Sequence, residues 1–415
     1  MNKNYKHTMY ASYVGYITQA IVNNLAPLLF LTFQKEFRIS LEQISLLVTF
    51  NFGTQIVVDF LSARFVDKIG YRISIVGAHI FSAVGLIGLA VFPYIFPSPF
   101  AGLIFAIALY AIGGGIIEVL ISPIVEALPN DAKSSAMSLL HSFYCWGHVS
   151  VVIISTIYFT IFGVAKWNYL AMFWAIVPLC NAIWFTKVPI NTFGDQETKL
   201  PFKKIFKLKS FWLFFILMIC SGAAEQAISQ WASIFAEAGL DVSKTKGDLL
   251  GPCLFAILMG ISRAFYGKFG EKINLKKFIE LSSVLCVISY LITVFAPIPI
   301  ISLIGCGLCG LSVGIMWPGV FSLSARHCPQ GGTTMFALLA LAGDVGCFVG
   351  PSLVGYVSGF VEKKNMMFKN WIHIDVITGL GLKIGLLSAI IFPITIMFCI
   401  YLLKRNLKQS LKSNC

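Results

Sequence analysis

Charge is what this chain lacks. Only 12% of its 415 residues are Asp, Glu, Lys or Arg, against 57% hydrophobic, where a soluble domain carries roughly a quarter charged residues. That scarcity excludes an ordinary soluble protein. There is no Gly-x-x-x-x-Gly-Lys-Ser/Thr run and no soluble segment large enough to house a nucleotide-driven motor. The sequence also lacks a His/Asp metal cluster and a nucleophile elbow, and Ser142 beside His141 has no third partner, so an enzyme is not expected. No cleavable leader is expected either: Met1 to Thr8 is short and polar, and the apolar run after it is already of full span length. Cys306 and Cys309 form a CxxC without a second pair, inside an apolar run, and read as small packing residues.

What the chain has in abundance is apolar runs of about 20 residues, the length that crosses a bilayer. Twelve are predicted, at 10–33, 40–63, 73–93, 99–126, 134–163, 168–188, 211–236, 247–267, 276–296, 300–325, 333–360 and 379–403. The fold class is therefore all-α integral membrane with twelve transmembrane helices. Most of the 31 Lys and Arg fall in loops on the side of the N-terminus. The positive-inside rule then places both termini in the cytoplasm of a multi-pass plasma-membrane protein. The net charge of +13 is spread over these loops and calls for no nucleic-acid partner. Residues 189–210, with Lys199, Lys203, Lys204, Lys207 and Lys209, read as a basic cytoplasmic linker. It is either a solvated linker or an amphipathic segment on anionic lipid. It separates an N-terminal bundle, 1–188, from a C-terminal bundle, 211–415.

The two halves echo one another. Thr18-Gln19-Ala20-Ile21 returns half a chain later as Glu225-Gln226-Ala227-Ile228. Asp67-Lys68-Ile69-Gly70-Tyr71-Arg72 follows the second run of the first half, and Glu271-Lys272-Ile273-Asn274 follows the second run of the other. Parallel six-helix repeats imply a cavity between the halves and alternating access to it. Over nearly its whole length the sequence resembles the major facilitator superfamily, whose loop between helices 2 and 3 reads roughly Gly-x-x-x-Asp-Arg/Lys-x-Gly-Arg-Arg. Here Ala63 replaces the first glycine and Tyr71 an arginine, while Asp67, Gly70 and Arg72 are kept. The resemblance implies that Asp67, Arg72 and Glu271 belong to a gate that stabilises one access state.

Polar groups inside the spans carry the functional expectation, because an ionisable residue at membrane depth is costly and binding a proton removes the charge. Glu118 stands in Gly113-Gly114-Gly115-Ile116-Ile117-Glu118, followed by Ser122-Pro123. This pattern, and Asn23-Asn24-Leu25 in the first span, resemble the fucose:proton symporters. In that family the corresponding glutamate takes up a proton, although Ser122 replaces the family's asparagine and Pro27 stands where it has an acid. Asp344 lies about eleven residues from its helix end, ~16 Å at about 1.5 Å per residue, near mid-membrane. With His141, two turns from His148, it joins Glu118 as a proton-coupling candidate. Gln19 and Asn23, and Gln226 and Gln230, are i, i+4 amide pairs at echoed positions. With Asn24, Tyr144, Glu225, Trp231 and Trp317 they make the expected substrate site: amides and a carboxylate for hydroxyls, aromatics for C–H faces. Asp59 and Arg263, opposite charges at echoed positions, are expected to pair across the interface as a gate.

The reading is a secondary transporter of a small polar solute, sugar-like, working by proton-coupled symport and alternating access. Its partners are that solute and the lipid bilayer, the proton is the coupling ion with no other cofactor, and a monomer is expected. Two alternatives stand beside it. One is a proton-coupled exporter of drugs or metabolites, although the fifth helix lacks the Gly-Pro motif that resembles such antiporters. The other is a non-transporting sensor or scaffold, which gives no reason for three buried acids.

Overall fold

The computed structural model describes residues 5–126, 128, 133–190, 205–269, 273–328, 332–372 and 379–413. Among these residues the chain is helical without strands, and twelve helical segments are long and apolar enough to cross a membrane. In chain order, spans 1 to 6 are Tyr5–Phe37, Leu41–Ser62, Tyr71–Ile95, Pro99–Val125, Leu140–Phe162 and Val164–Lys187. Spans 7 to 12 are Lys209–Gly239, Lys244–Tyr266, Leu275–Phe295, Pro299–His327, Leu338–Lys364 and Leu380–Arg405. Each overlaps an expected run, and several continue a few residues past it. Ser40 and Gln43 form a reciprocal capping box that starts span 2.

Several spans are not straight α-helices. Span 1 changes to 3-10 winding over Ala26–Leu29, where Pro27 has no amide to donate. Span 7 ends in a wide turn at Phe235–Gly239, and span 8 carries another at Leu249–Cys253 around Pro252. Span 10 is interrupted between Val313 and Met316.

Within the first six spans, span 3 packs against spans 4 and 6, and span 1 against spans 4 and 5. Within the last six, span 7 packs against span 11, and span 10 against spans 8 and 9. The two sets meet chiefly where span 2 runs against span 11 and span 5 against span 8. Span 4 owes its close contacts to three successive glycines. Gly113 faces Ser82 and the Ala78 carbonyl of span 3, Gly114 faces Gln19 of span 1, and Gly115 faces Asp59 of span 2. A methyl group on Gly114 would sit 2.9 Å from Gln19 Oε1.

Arg72, at the start of span 3, donates to the carbonyls of Phe185 (2.7 Å), Thr186 (2.8 Å) and Val188 (2.8 Å). These are the last carbonyls of span 6, which have no intrahelical partner and attract a cation. Arg72 therefore ties spans 3 and 6 together inside one half. Gly70, at φ +92°, makes the turn that brings it there. Replacing Arg72 by Ala is expected to lower stability by about 2 kcal/mol, the scale of a charge-assisted hydrogen bond, with Lys restoring part of it. Thermal unfolding of the detergent-solubilised variants measures this, and an unchanged Arg72→Ala midpoint would refute it. Asp67 and Glu271, the acids expected to join Arg72, have side chains outside the described residues, as does most of the linker.

Candidate substrate and coupling site

The polar side chains inside the spans converge on one connected network. Gln19 Nε2 donates to Glu118 Oε2 at 2.8 Å and to Gln55 Oε1 at 3.0 Å. Both partners are acceptors, which fixes the orientation of the Gln19 amide. Gln55 Nε2 donates onward to Asn23 Oδ1 (2.9 Å) and Asn51 Oδ1 (3.1 Å), and Asn51 Nδ2 also reaches Asn23 Oδ1 at 3.2 Å. Asn24 is held by the Ala20 carbonyl at 2.9 Å and donates to the Tyr144 hydroxyl at 3.4 Å.

The second half joins at Asn23. Gln230 Nε2 donates to the Asn23 carbonyl at 3.0 Å and to Gln226 Oε1 at 3.1 Å. Gln226 reaches Glu225 Oε1 at 3.5 Å, and Arg263 Nη2 meets Glu225 Oε2 at 3.1 Å. Hydrogen bonds thus run from Glu118 in span 4 to Arg263 in span 8. The two echoed positions, Asn23 and Gln230, touch one another.

The expected pairing of Asp59 with Arg263 is not what the structure holds. Arg263 is taken by Glu225, one span away in its own half. Asp59 instead lies near Asp344 of span 11. Gly115 opposite Asp59 gives that side chain room, since a methyl there would sit 3.1 Å from its Oδ1. Charge complementarity alone could not foresee this, because the rotation of span 2 decides which neighbour Asp59 meets.

Trp231 departs from its expected role as an aromatic wall. It is fully buried, its indole donates to the Pro351 carbonyl at 3.0 Å, and its ring lies 6.1 Å from Phe30. It seals spans 1, 7 and 11 together instead of facing a ligand. Trp317 is half-buried with its ring on Gly343, next to Asp344 in sequence. His141 is exposed and edge-on to Tyr16, whose hydroxyl shares a 3.0 Å hydrogen bond with Ser122, whereas His148 is buried. Asn51, Gln55 and Tyr16 were not singled out in the sequence. Asn51 and Gln55 carried the same signal as the other two amide pairs, polar residues four apart in an apolar run.

One end of this network is sealed and the other is partly exposed. Toward the face opposite the termini, here the far face, Leu25 to Phe30, Leu47, Val48, Tyr110, Trp231 and Phe235 are all buried. Spans 2 and 11 close there through Thr49 and Ser352, whose hydroxyls are 2.6 Å apart, and through Ser45, which donates to the Ser352 carbonyl at 3.3 Å. A void of about 10 Å³ between Asn23, Asn51, Tyr110 and Gln230 has room for about one water. Toward the terminal face, Glu118, Ser122, His141, Tyr144, Arg263, Trp317 and Asp344 keep solvent contact although helices surround them. Side chains with both properties line a vestibule open to that side. Among the described residues no cluster of His, Cys, Asp and Glu is arranged to hold a metal ion.

Twelve spans in two sets around a polar network open to one face define a polytopic membrane carrier. The model of the Major Facilitator Superfamily matches residues 12–351, and the chain belongs to that superfamily. It is 24% identical over 299 residues to the multi-drug resistance efflux pump PmrA of Streptococcus pneumoniae, covering 71% of this chain and 73% of that protein. Among solved structures it is similar to a bacterial homologue of the human lysosomal transporter Spinster, in an inward-facing and occupied conformation. That likeness has TM-score 0.76, 13% identity and 98% coverage of both chains. It is also similar to a D-xylose–proton symporter (TM-score 0.74, 13% identity, 93% of this chain and 96% of that one). A third is the E. coli fucose:proton symporter (TM-score 0.63, 15% identity, 95% and 98%). At these identities the structures speak for the fold.

Proposed function

We propose that this transporter carries a small, polar, sugar-like solute together with a proton. The observation that carries the reading is the network joining Glu118 to the Glu225–Arg263 pair through five amide side chains, with contributions from both halves. Amides offer donors and acceptors side by side, as hydroxyl groups require, and Tyr144 and Trp317 supply aromatic surface at the vestibule. Protonation of Glu118 removes a net charge from the site before it closes, which makes passage through a dry intermediate less costly. The solved xylose– and fucose–proton symporters share the fold. The bundles are proposed as residues 1–188 and 211–415 around the basic linker, in the plasma membrane, as a monomer with cytoplasmic termini. In that orientation the vestibule faces the cytoplasm.

A second reading is favoured by one observation, the similarity to efflux pumps, and makes the chain a proton-coupled exporter. Two measurements decide. A thermal-shift screen against sugars, polyols, amino acids and nucleosides identifies the ligand, because a ligand that binds only the folded state raises the unfolding temperature. Proteoliposomes of known orientation, loaded with a pH gradient, then report direction. Symport moves the ligand down the proton gradient and antiport moves it against; movement indifferent to that gradient would remove proton coupling from the reading.

A further inference from the structure

Lys244 is the first residue of span 8, at the positive end of a helix, where a cation is electrostatically disfavoured. Its side chain is nevertheless largely buried, so something else must hold it there. Two acids of its own half do so. Glu237, at the end of span 7, lies 3.0 Å from Nζ, and Asp248, one turn along span 8, lies 3.1 Å away. Asp248 is fully buried and accepts a 2.6 Å hydrogen bond from Ser233.

The remaining contacts of Lys244 cross to the other half. Nζ donates to the Leu28 carbonyl at 2.6 Å and lies 5.3 Å from the centre of the Phe159 ring. Leu28 sits in the 3-10 stretch of span 1, where the winding changes and backbone carbonyls are free to take outside partners. On the other side of the same break, Gln230 holds the Asn23 carbonyl. The break is thus gripped on both sides by donors from spans 7 and 8, and Ser233 and Asp248 link those donors to each other.

We propose that Lys244 is the latch of the far face. Glu237 and Asp248 keep it charged and aimed, and it must leave the Leu28 carbonyl before the site opens to that side. The proposal rests on the transporter reading, since only a carrier has a second access state for the latch to oppose. The two anions make the ammonium tolerable in a buried place, while its one hydrogen bond to the other half, beside the Phe159 ring, is weak enough to break once per cycle.

Hydrogen–deuterium exchange on the full-length protein in nanodiscs, without added solute, tests it. Lys244→Met should raise exchange across Ala26–Phe37 on the order of tenfold, the scale of one charge-assisted hydrogen bond. It should also lower exchange on the terminal side, around His141, as that side closes. Lys244→Arg keeps the cation and should keep the wild-type pattern. Asp248→Asn keeps Lys244 but loosens its aim, and should shift both faces in the same directions by less; it decides the matter if Lys244→Met does not fold. A rise confined to the segment around Lys244, or an equal rise on both faces as from lost packing, would overturn the latch. The transporter reading fails separately, through absence of solute movement in liposomes.

Discussion

Glu118→Gln is expected to abolish uphill accumulation while leaving exchange of solute across the membrane measurable. The substitution keeps the size of the side chain and an oxygen to accept from Gln19, which now donates to Glu118 at 2.8 Å. It removes the one property a coupling group needs, a titratable proton. With one proton per solute, each unit of pH gradient supports about tenfold accumulation, or about 1.4 kcal/mol, and the variant should hold none of it. Counterflow requires only binding and the change of access, and both remain. Proteoliposome uptake with and without a pH gradient measures the two activities together. Full accumulation by Glu118→Gln would move the coupling role elsewhere, first to Asp59 and Asp344. They lie near one another where spans 2 and 11 meet, so their protonation is tied to how the halves meet.

The second large effect concerns the ion pair. Arg263→Met leaves Glu225 in a buried place without its cation, a change that destabilises by about 3–5 kcal/mol in comparable pairs. Glu225→Gln should be milder. The Arg263 side chain is 17% exposed, whereas that of Glu225 is only 7% exposed. The double variant removes both charges and should recover most of the unfolding temperature lost by Arg263→Met. It should not recover transport, because the charged end of the network is gone. Thermal unfolding of the three proteins, with ligand binding on the double variant, checks this. Equal destabilisation by both single variants and the double would show that packing, and not charge compensation, sets the stability of the pair.

How much of this was legible beforehand depends on what each feature needs. A span needs about 20 apolar residues in a row, a local property, so all twelve were placed within a few residues. Amides and acids inside apolar runs also announce themselves locally, because leaving them in lipid is costly. Glu118, Gln19, Asn23, Gln226 and Gln230 were found in this way and do meet. The choice of partner is different. Asp59 and Arg263 looked complementary as echoed positions, yet Arg263 pairs with Glu225 and Asp59 lies near Asp344. Trp231 looked like part of a ligand wall but turns to the Pro351 carbonyl. Lys244 carries no local mark in the sequence, although its ammonium crosses to the other half.

The sequence by itself determined the membrane class, the twelve spans, the resemblance to the superfamily and most of the polar residues in the site, because hydropathy and spacing are written along the chain. Only the tertiary structure decided which acid meets which base, which aromatic faces water, and which face of the protein is closed. Those outcomes depend on how each helix is rotated and how closely it approaches its neighbours. At Gly113, Gly114 and Gly115 three different spans press against one, and contacts so far apart in sequence leave no local pattern to read.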